Sequence, residues 1–132
     1  LQLIKKDKIV LGSIETKRDF TFVKDTVSGF IKIAESRNSI GEVINIGTSS
    51  EIKIIDLTKK IAHILGKELK LSAAKERFRP KQSEVDRLLA SNKKAAKIIG
   101  WKPGYSLEAG LKETVEFYKL NWKKYYKDEY GV

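Results

Sequence analysis

The sequence predicts an α/β fold of short strands and about four or five helices, and three observations carry that prediction. Residues 18–23, RDFTFV, alternate with period two, Phe20 and Phe22 on one face and Thr21 and Val23 on the other. Aromatic and β-branched residues at that spacing suit a strand. Val27, Phe30, Ile31 and Ala34 then fall at i, i+3, i+4 and i+7, the stripe of an amphipathic helix. Residues 42–47, EVINIG, return to a strand pattern and lead into a second helical stripe of Leu57, Ile61, Ile64 and Leu65. Strands and helices therefore alternate, without an internal repeat, as in an α/β or α+β domain.

The other elements follow in order. Residues 1–8 are short and mixed and fit the end of a helix. Ile9, Val10 and Leu11 form a brief strand stopped by Gly12 and Ser13. Asp25 is placed to cap the helix after RDFTFV. Gly29 inside that helix costs about 1 kcal/mol relative to alanine, which points to close packing against a neighbour. Residues 37–41 make a polar turn, and Thr48, Ser49 and Ser50 a loop. Gly66 caps the C-terminus of the next helix. His63 lies off that helix's stripe; with no cysteine and no second histidine to join it, it reads as a solvated residue rather than a base or metal ligand. Residues 69–73 give a further strand, as do Leu88, Leu89 and Ala90. Ser91 is expected to cap a helix over 92–99 that stops at Gly100, with Trp101 covering its end. After the Pro103-Gly104 turn, Ser106 caps the last helix, which carries Leu107, Leu111, Val115 and Tyr118 on one face. Residues 1–120 read as one domain, and 121–132 as a Lys-rich tail holding Trp122, Tyr125, Tyr126 and Tyr130.

Composition narrows the classes of function. The 132 residues, 41% apolar and 33% charged, fit one soluble globular domain that buries about two-thirds of its unfolded surface. No apolar run approaches the ~20 residues that span a bilayer. The absence of cysteine suits a reducing, cytoplasmic setting. A net charge of +10 favours phosphorylated ligands, polyanions or anionic surfaces. The chain starts at Leu1 and holds no methionine, so it is expected to be a piece of a longer protein.

Catalytic signatures are missing from the sequence. It contains no GxGxxG or GxxGxxG turn, no GxxxxGK[ST] loop, no GxSxG elbow, and no tyrosine followed four residues later by lysine. No cofactor is expected on this chain, and no independent catalysis.

What remains is a binding constellation in residues 77–101, RFRPKQSEVDRLLASNKKAAKIIGW, which read as one wall of an anion site. Lys75, Arg77, Arg79, Lys81 and Arg87 form the one dense basic cluster. Arg79 offers a planar fork of donors suited to phosphate oxygens, beside the stiffening Pro80. Arg18 offers a second fork, and two guanidinium groups divide the charge of a diphosphate. Glu84 is an acceptor-only carboxylate suited to sugar hydroxyls. The bland alternatives are an ion pair of Arg18 with Asp19 or Asp25, and of Arg79 with Glu76, the latter worth at most about 1 kcal/mol.

Four blocks in order, RDFTFVKDTVSGF, GEVINIG with its following helix, RFRPKQSEVDRLLASNKKAAKIIGW and YSLEAGLKETVEF, resemble the C-terminal part of extended short-chain dehydrogenase/reductases. Within them the chain is similar to the NAD-dependent epimerase/dehydratase family, nearest to nucleotide-sugar 4,6-dehydratases, over roughly residues 8–119. The resemblance implies a small substrate-binding portion of a Rossmann-type enzyme. The missing N-terminal Rossmann half would hold NAD or NADP and the catalytic tyrosine and lysine. It further implies that Arg18 and Arg79 meet the nucleotide diphosphate and Glu84 the ribose, with Arg77 and Lys81 on the same rim. A UDP- or GDP-linked sugar is the implied ligand and a homodimer the implied assembly. Two other readings compete: a basic nucleic-acid-binding module, which the lack of RNP-type, zinc-finger and GXXG motifs argues against, and a structural, self-associating domain.

Overall fold

In the computed structural model, residues 1–6, 8–73 and 85–125 are described, and they divide into two compact units. Of the described residues, the first unit takes those within 1–16, 53–85 and 111–125, and the second those within 17–52 and 86–110. Their elements are those of an α/β chain, with five α-helices and five short strands among the described residues.

The first unit opens with the helix α1 (Gln2–Lys5) and the strand β1 (Lys8–Leu11), which the Gln2 side chain stitches together. Its Oε1 accepts the Val10 N–H at 2.8 Å and its Nε2 donates to the Val10 carbonyl at 3.4 Å. β1 pairs in parallel with β4 (Lys70–Ala73), Ile9 opposite Leu71 and Leu11 opposite Ala73. Parallel neighbours need a crossover, and α3 (Ile54–Ile64) lies within it. The first turn of α3 is closed from outside the helix: the Ile54 and Ile55 N–H groups donate to the carbonyls of Thr16 and Ile14. Gly66, at φ +64°, ends this helix in the left-handed conformation. Leu3, Ile9 and Ala62 are buried together, with Leu11, Ile61, Leu65 and Leu69 packed around them. His63 is exposed.

The second unit holds β2 (Lys17–Arg18), α2 (Val23–Glu35), β5 (Arg87–Leu88) and α4 (Lys93–Ile99). β2 pairs in parallel with β5, Lys17 opposite Arg87 and Arg18 opposite Leu88. The short sheet has the order β3-β2-β5, where β3 is Ile52–Lys53. The strand expected over RDFTFV therefore stops at Arg18. The chain leaves the ladder at Asp19, whose carboxylate is taken up by another loop, and Phe22 becomes the N-cap of α2. Asp25 is not the cap; it lies in the first turn, 4% exposed, and its two oxygens accept the N–H groups of Gly104 at 2.8 Å and Tyr105 at 3.2 Å. Trp101, the largest fully buried side chain, donates its Nε1–H to the Asp25 carbonyl and to Ser28 Oγ.

That network turns α2 over. Its buried residues are Asp25 and Gly29, the latter in contact with Ile46, as its glycine suggested. The predicted core stripe faces outward instead: Val27 is 49% exposed, Phe30 63% and Ile31 52%, with Val23 and Ala34 exposed beside them. EVINIG also differs from expectation. Residues 42–47 are in no ladder among the described residues, although Val43 and Asn45 are exposed while Ile44 and Ile46 are half-buried, the alternation of a strand without its neighbour.

One further cap differs and another holds. Asn92, not Ser91, precedes α4, and neither side chain caps it. Ser106 does cap α5 (Leu107–Tyr125), its Oγ accepting the Ala109 N–H at 3.1 Å. α5 continues to Tyr125, past the helix end expected near Leu120. Val115 is buried in it, and the rings of Phe117, Tyr118 and Tyr125 meet edge-on or tilted.

Trp101→Ala is expected to lower stability by about 3–5 kcal/mol, from lost burial and an emptied cavity. Asp25→Ala is expected to lower it by about 1–3 kcal/mol, from two N–H groups left without an acceptor. Urea unfolding followed by circular dichroism measures both; losses below about 1 kcal/mol for the pair would contradict the network described.

Candidate functional site

Arg18, the last residue of β2, is half-buried, and its Nη1 donates to the Lys17 carbonyl at 2.8 Å. Arg77, Arg79, Lys81 and Glu84 lie outside the described residues, as does Glu76. The structure therefore places one of the five predicted ligand residues, and shows what surrounds it.

Both carboxylates proposed as simple partners of Arg18 have other duties. Asp25 serves Gly104 and Tyr105. Asp19 organises the loop after residue 47: its Oδ1 accepts the Thr48 N–H and hydroxyl, and its Oδ2 accepts the Ser49 N–H at 3.0 Å. Ser49 is at φ +58°, so successive N–H groups converge on one carboxylate, the geometry of an anion nest. The loop is tied to the start of α4 as well. Asn92 N–H donates to Ser49 Oγ at 3.1 Å, and Asn92 Nδ2 donates to the Gly47 carbonyl at 2.9 Å. A Cβ on Gly47 would collide with the Cβ of Ala90.

On the same sheet, Glu51 sits between two cations. One oxygen accepts from Lys17 Nζ at 3.3 Å and the other from Arg87 Nε, and the Glu51 side chain is only 15% exposed. Sequence reasoning placed Arg87 in a basic cluster but gave Glu51 no role, because its partners are 34 and 36 residues away. The hydrogen bond from Arg87, followed by that from Lys17, holds the Glu51 carboxyl below the usual carboxylate range. The arrangement can hold a guanidinium fork, Arg18, at a fixed place beside a partly neutralised basic surface. Among the described residues no group of three His, Cys, Asp or Glu is disposed to hold a metal, and no helix is long and apolar enough to cross a membrane.

Known proteins resolve the class. The model of the family described as GDP-mannose 4,6 dehydratase matches residues 1–114. Among curated relatives, the dTDP-D-glucose 4,6-dehydratase of Mus musculus is 30% identical over 118 residues, covering 85% of this chain and 33% of the relative. The UDP-glucuronate 4-epimerase of Thermodesulfobacterium geofontis is 32% identical over 114 residues, again 85% of this chain and 33% of the relative. The solved structure of the Bacillus cereus UDP-glucuronic acid 4-epimerase, in complex with UDP-glucuronic acid and NAD, superimposes with a TM-score of 0.79. It is 27% identical and covers 91% of this chain and 38% of that one. By name these are a dehydratase and epimerases of nucleotide sugars, and the solved one holds NAD. The chain belongs to the GDP-mannose 4,6 dehydratase family. It spans about a third of the length of the curated relatives it matches.

The lowered Glu51 value fixes the sign of a pH effect. A carboxyl held lower in the folded chain contributes stability that is fully present above the unfolded value of about 4.3 and is lost as pH falls through the folded value. The stability difference between the wild type and Glu51→Gln is therefore expected to be constant from pH 7 to 5 and to shrink below pH ~4.3. Urea midpoints across that range measure it; a difference independent of pH would show that the carboxylate charge contributes nothing.

Gly47→Ala is expected to cost about 1–3 kcal/mol by overpacking against Ala90. Combining it with Ala90→Gly should return most of that loss in the same assay.

Proposed function

We propose that this chain is the substrate-binding part of an NAD(P)-dependent nucleotide-sugar 4,6-dehydratase or epimerase. The observation that carries the reading is the family match over residues 1–114, joined to relatives named for dTDP- and UDP-sugar chemistry. Arg18 and Arg79 divide the diphosphate charge, Glu84 holds the ribose hydroxyls, and Arg77 and Lys81 line the same rim. Residues 1–120 form this part and 121–132 follow it. The ligand is a UDP- or GDP-linked sugar, the assembly a homodimer, and the setting cytoplasmic.

NAD or NADP supplies the hydride acceptor in such enzymes. Residues of this chain do not fit it: the sequence lacks both a glycine-rich dinucleotide turn and a tyrosine–lysine pair, and the described strand-to-helix turns are led by Phe22, Lys53 and Asn92. We therefore place the cofactor on a Rossmann portion outside these residues. Two features of the second unit support such a neighbour. The outward stripe of α2 is apolar, and residues 43–46 carry a strand pattern without main-chain hydrogen bonds among the described residues. A parallel sheet with an apolar face would cover the first and pair with the second. This chain's part in the reaction is then to neutralise the diphosphate and hold the sugar in place.

Isothermal titration of the chain with UDP- and GDP-sugars tests the reading. Arg18→Ala and Arg79→Ala are each expected to weaken binding about tenfold or more, as for hydrogen bonds to a charged group. Affinity unchanged from the wild type in both variants, or random oligonucleotides binding as tightly as nucleotide sugars, would overturn it.

A further inference from the structure

Beyond the ligand residues themselves, the geometry points to Glu51 as a positioning residue for the diphosphate site: it holds β2 against β5, and thereby fixes Arg18, by neutralising a like-charged cross-strand pair. The inference rests on the reading of Arg18 given above.

β2 and β5 are each two residues long, and their register sets Lys17 directly opposite Arg87. Opposed like charges destabilise a strand pair, and so short a ladder has little else to offset the repulsion. The described pairing rests on Lys17 N–H to the Asp86 carbonyl at 2.8 Å and Asp19 N–H to the Leu88 carbonyl at 3.0 Å. These two bonds bracket Arg18. Glu51, immediately before β3, reaches across with one oxygen for each cation. It is the most sheltered member of the trio, its side chain 15% exposed against 44% for Lys17 and 63% for Arg87. The lowered carboxyl value of Glu51, caused first by Arg87 and then by Lys17, agrees with a carboxylate that stays charged between them.

Side chains alternate along a strand, so Lys17 and Arg18 point to opposite faces of the pair. Glu51 thus acts on the face away from Arg18 and touches no ligand in this scheme. Its effect on binding passes through the ladder. Without the carboxylate charge, Lys17 and Arg87 repel, the two strands part, and Arg18 loses the main-chain frame on either side of it. Sequence inspection has no means of seeing this, since the three residues are dispersed over 71 positions of the chain.

The test uses the wild-type chain, Glu51→Gln, Glu51→Gln/Arg87→Gln and Arg18→Ala, with two readouts. Amide hydrogen exchange at Lys17 and Asp19 reports the β2–β5 pairing without any ligand. Glu51→Gln is expected to exchange there about fivefold faster than wild type, and the double variant to recover to within about twofold, because removing Arg87 removes the like-charged pair. Titration with UDP and GDP should follow the same order, weakened in Glu51→Gln and restored in the double variant. A loss in Glu51→Gln that Arg87→Gln does not rescue overturns the proposal, since a merely structural role predicts further loss. Unchanged exchange in Glu51→Gln overturns it too. Binding lost in Arg18→Ala but intact in Glu51→Gln removes the role of Glu51 and leaves that of Arg18. Binding by neither the wild type nor any variant removes the reading of Arg18, and the positioning role with it.

Discussion

A buried carboxylate governs the second unit. Asp25 lies in the first turn of α2, where the helix dipole favours negative charge, and it collects two main-chain N–H groups from the turn after Trp101. Its own carbonyl receives the indole of that tryptophan. Burying a charge is costly unless it is hydrogen-bonded, and these partners meet that condition. The consequence is directional. Because Asp25, Ser28 and Gly29 must face the tryptophan and Ile46, the apolar residues of α2 cannot. The unit is held by a polar network around one large aromatic ring, and its conventional hydrophobic stripe is left looking outward.

Much of the fold was legible because local chemistry and tertiary structure agree. Ile9, Val10 and Leu11, the Gly66 and Gly100 helix stops and the Ser106 cap all sit where their patterns place them. Elements were misread where a long-range contact overrides a local preference. RDFTFV has a strand's periodicity, but Asp19 is drawn to the Thr48-Ser49 loop and Phe22 packs on Tyr105, so the ladder ends after Arg18. Asp25 has an N-cap's composition, yet its carboxylate is spent on residues 79 and 80 positions further along. EVINIG has the alternation of a strand, but a strand is defined by its neighbour as much as by its own residues. The candidate site was legible only by its residue types. Arg18 could be chosen as a fork; the Asp19 nest and the Glu51 bridge could not, since each depends on register between distant segments.

Charge is distributed to match. The sheet brings Lys17, Arg18 and Arg87 to one short pair of strands and assigns a single carboxylate, Glu51, to two of them. Exposed ion pairs contribute little singly. A sheltered carboxylate shared by two cations on facing strands differs, because it removes a repulsion as well as adding an attraction. The positive charge is thus arranged locally as a guanidinium framed by two main-chain bonds, beside cations already partly neutralised.

The outward stripe of α2 has a consequence for the life of the polypeptide. Val23, Val27, Phe30 and Ile31 present a ribbon of oily side chains to water, joined by Ile40 and Val43 at 80% and 81% exposure. Ribbons of this kind are what holdase chaperones grip during synthesis and what drives clumping when they are slow to be covered. The speed with which a neighbouring surface closes over this helix, rather than the stability of the knot around Trp101, would then set how much of the newly made chain survives.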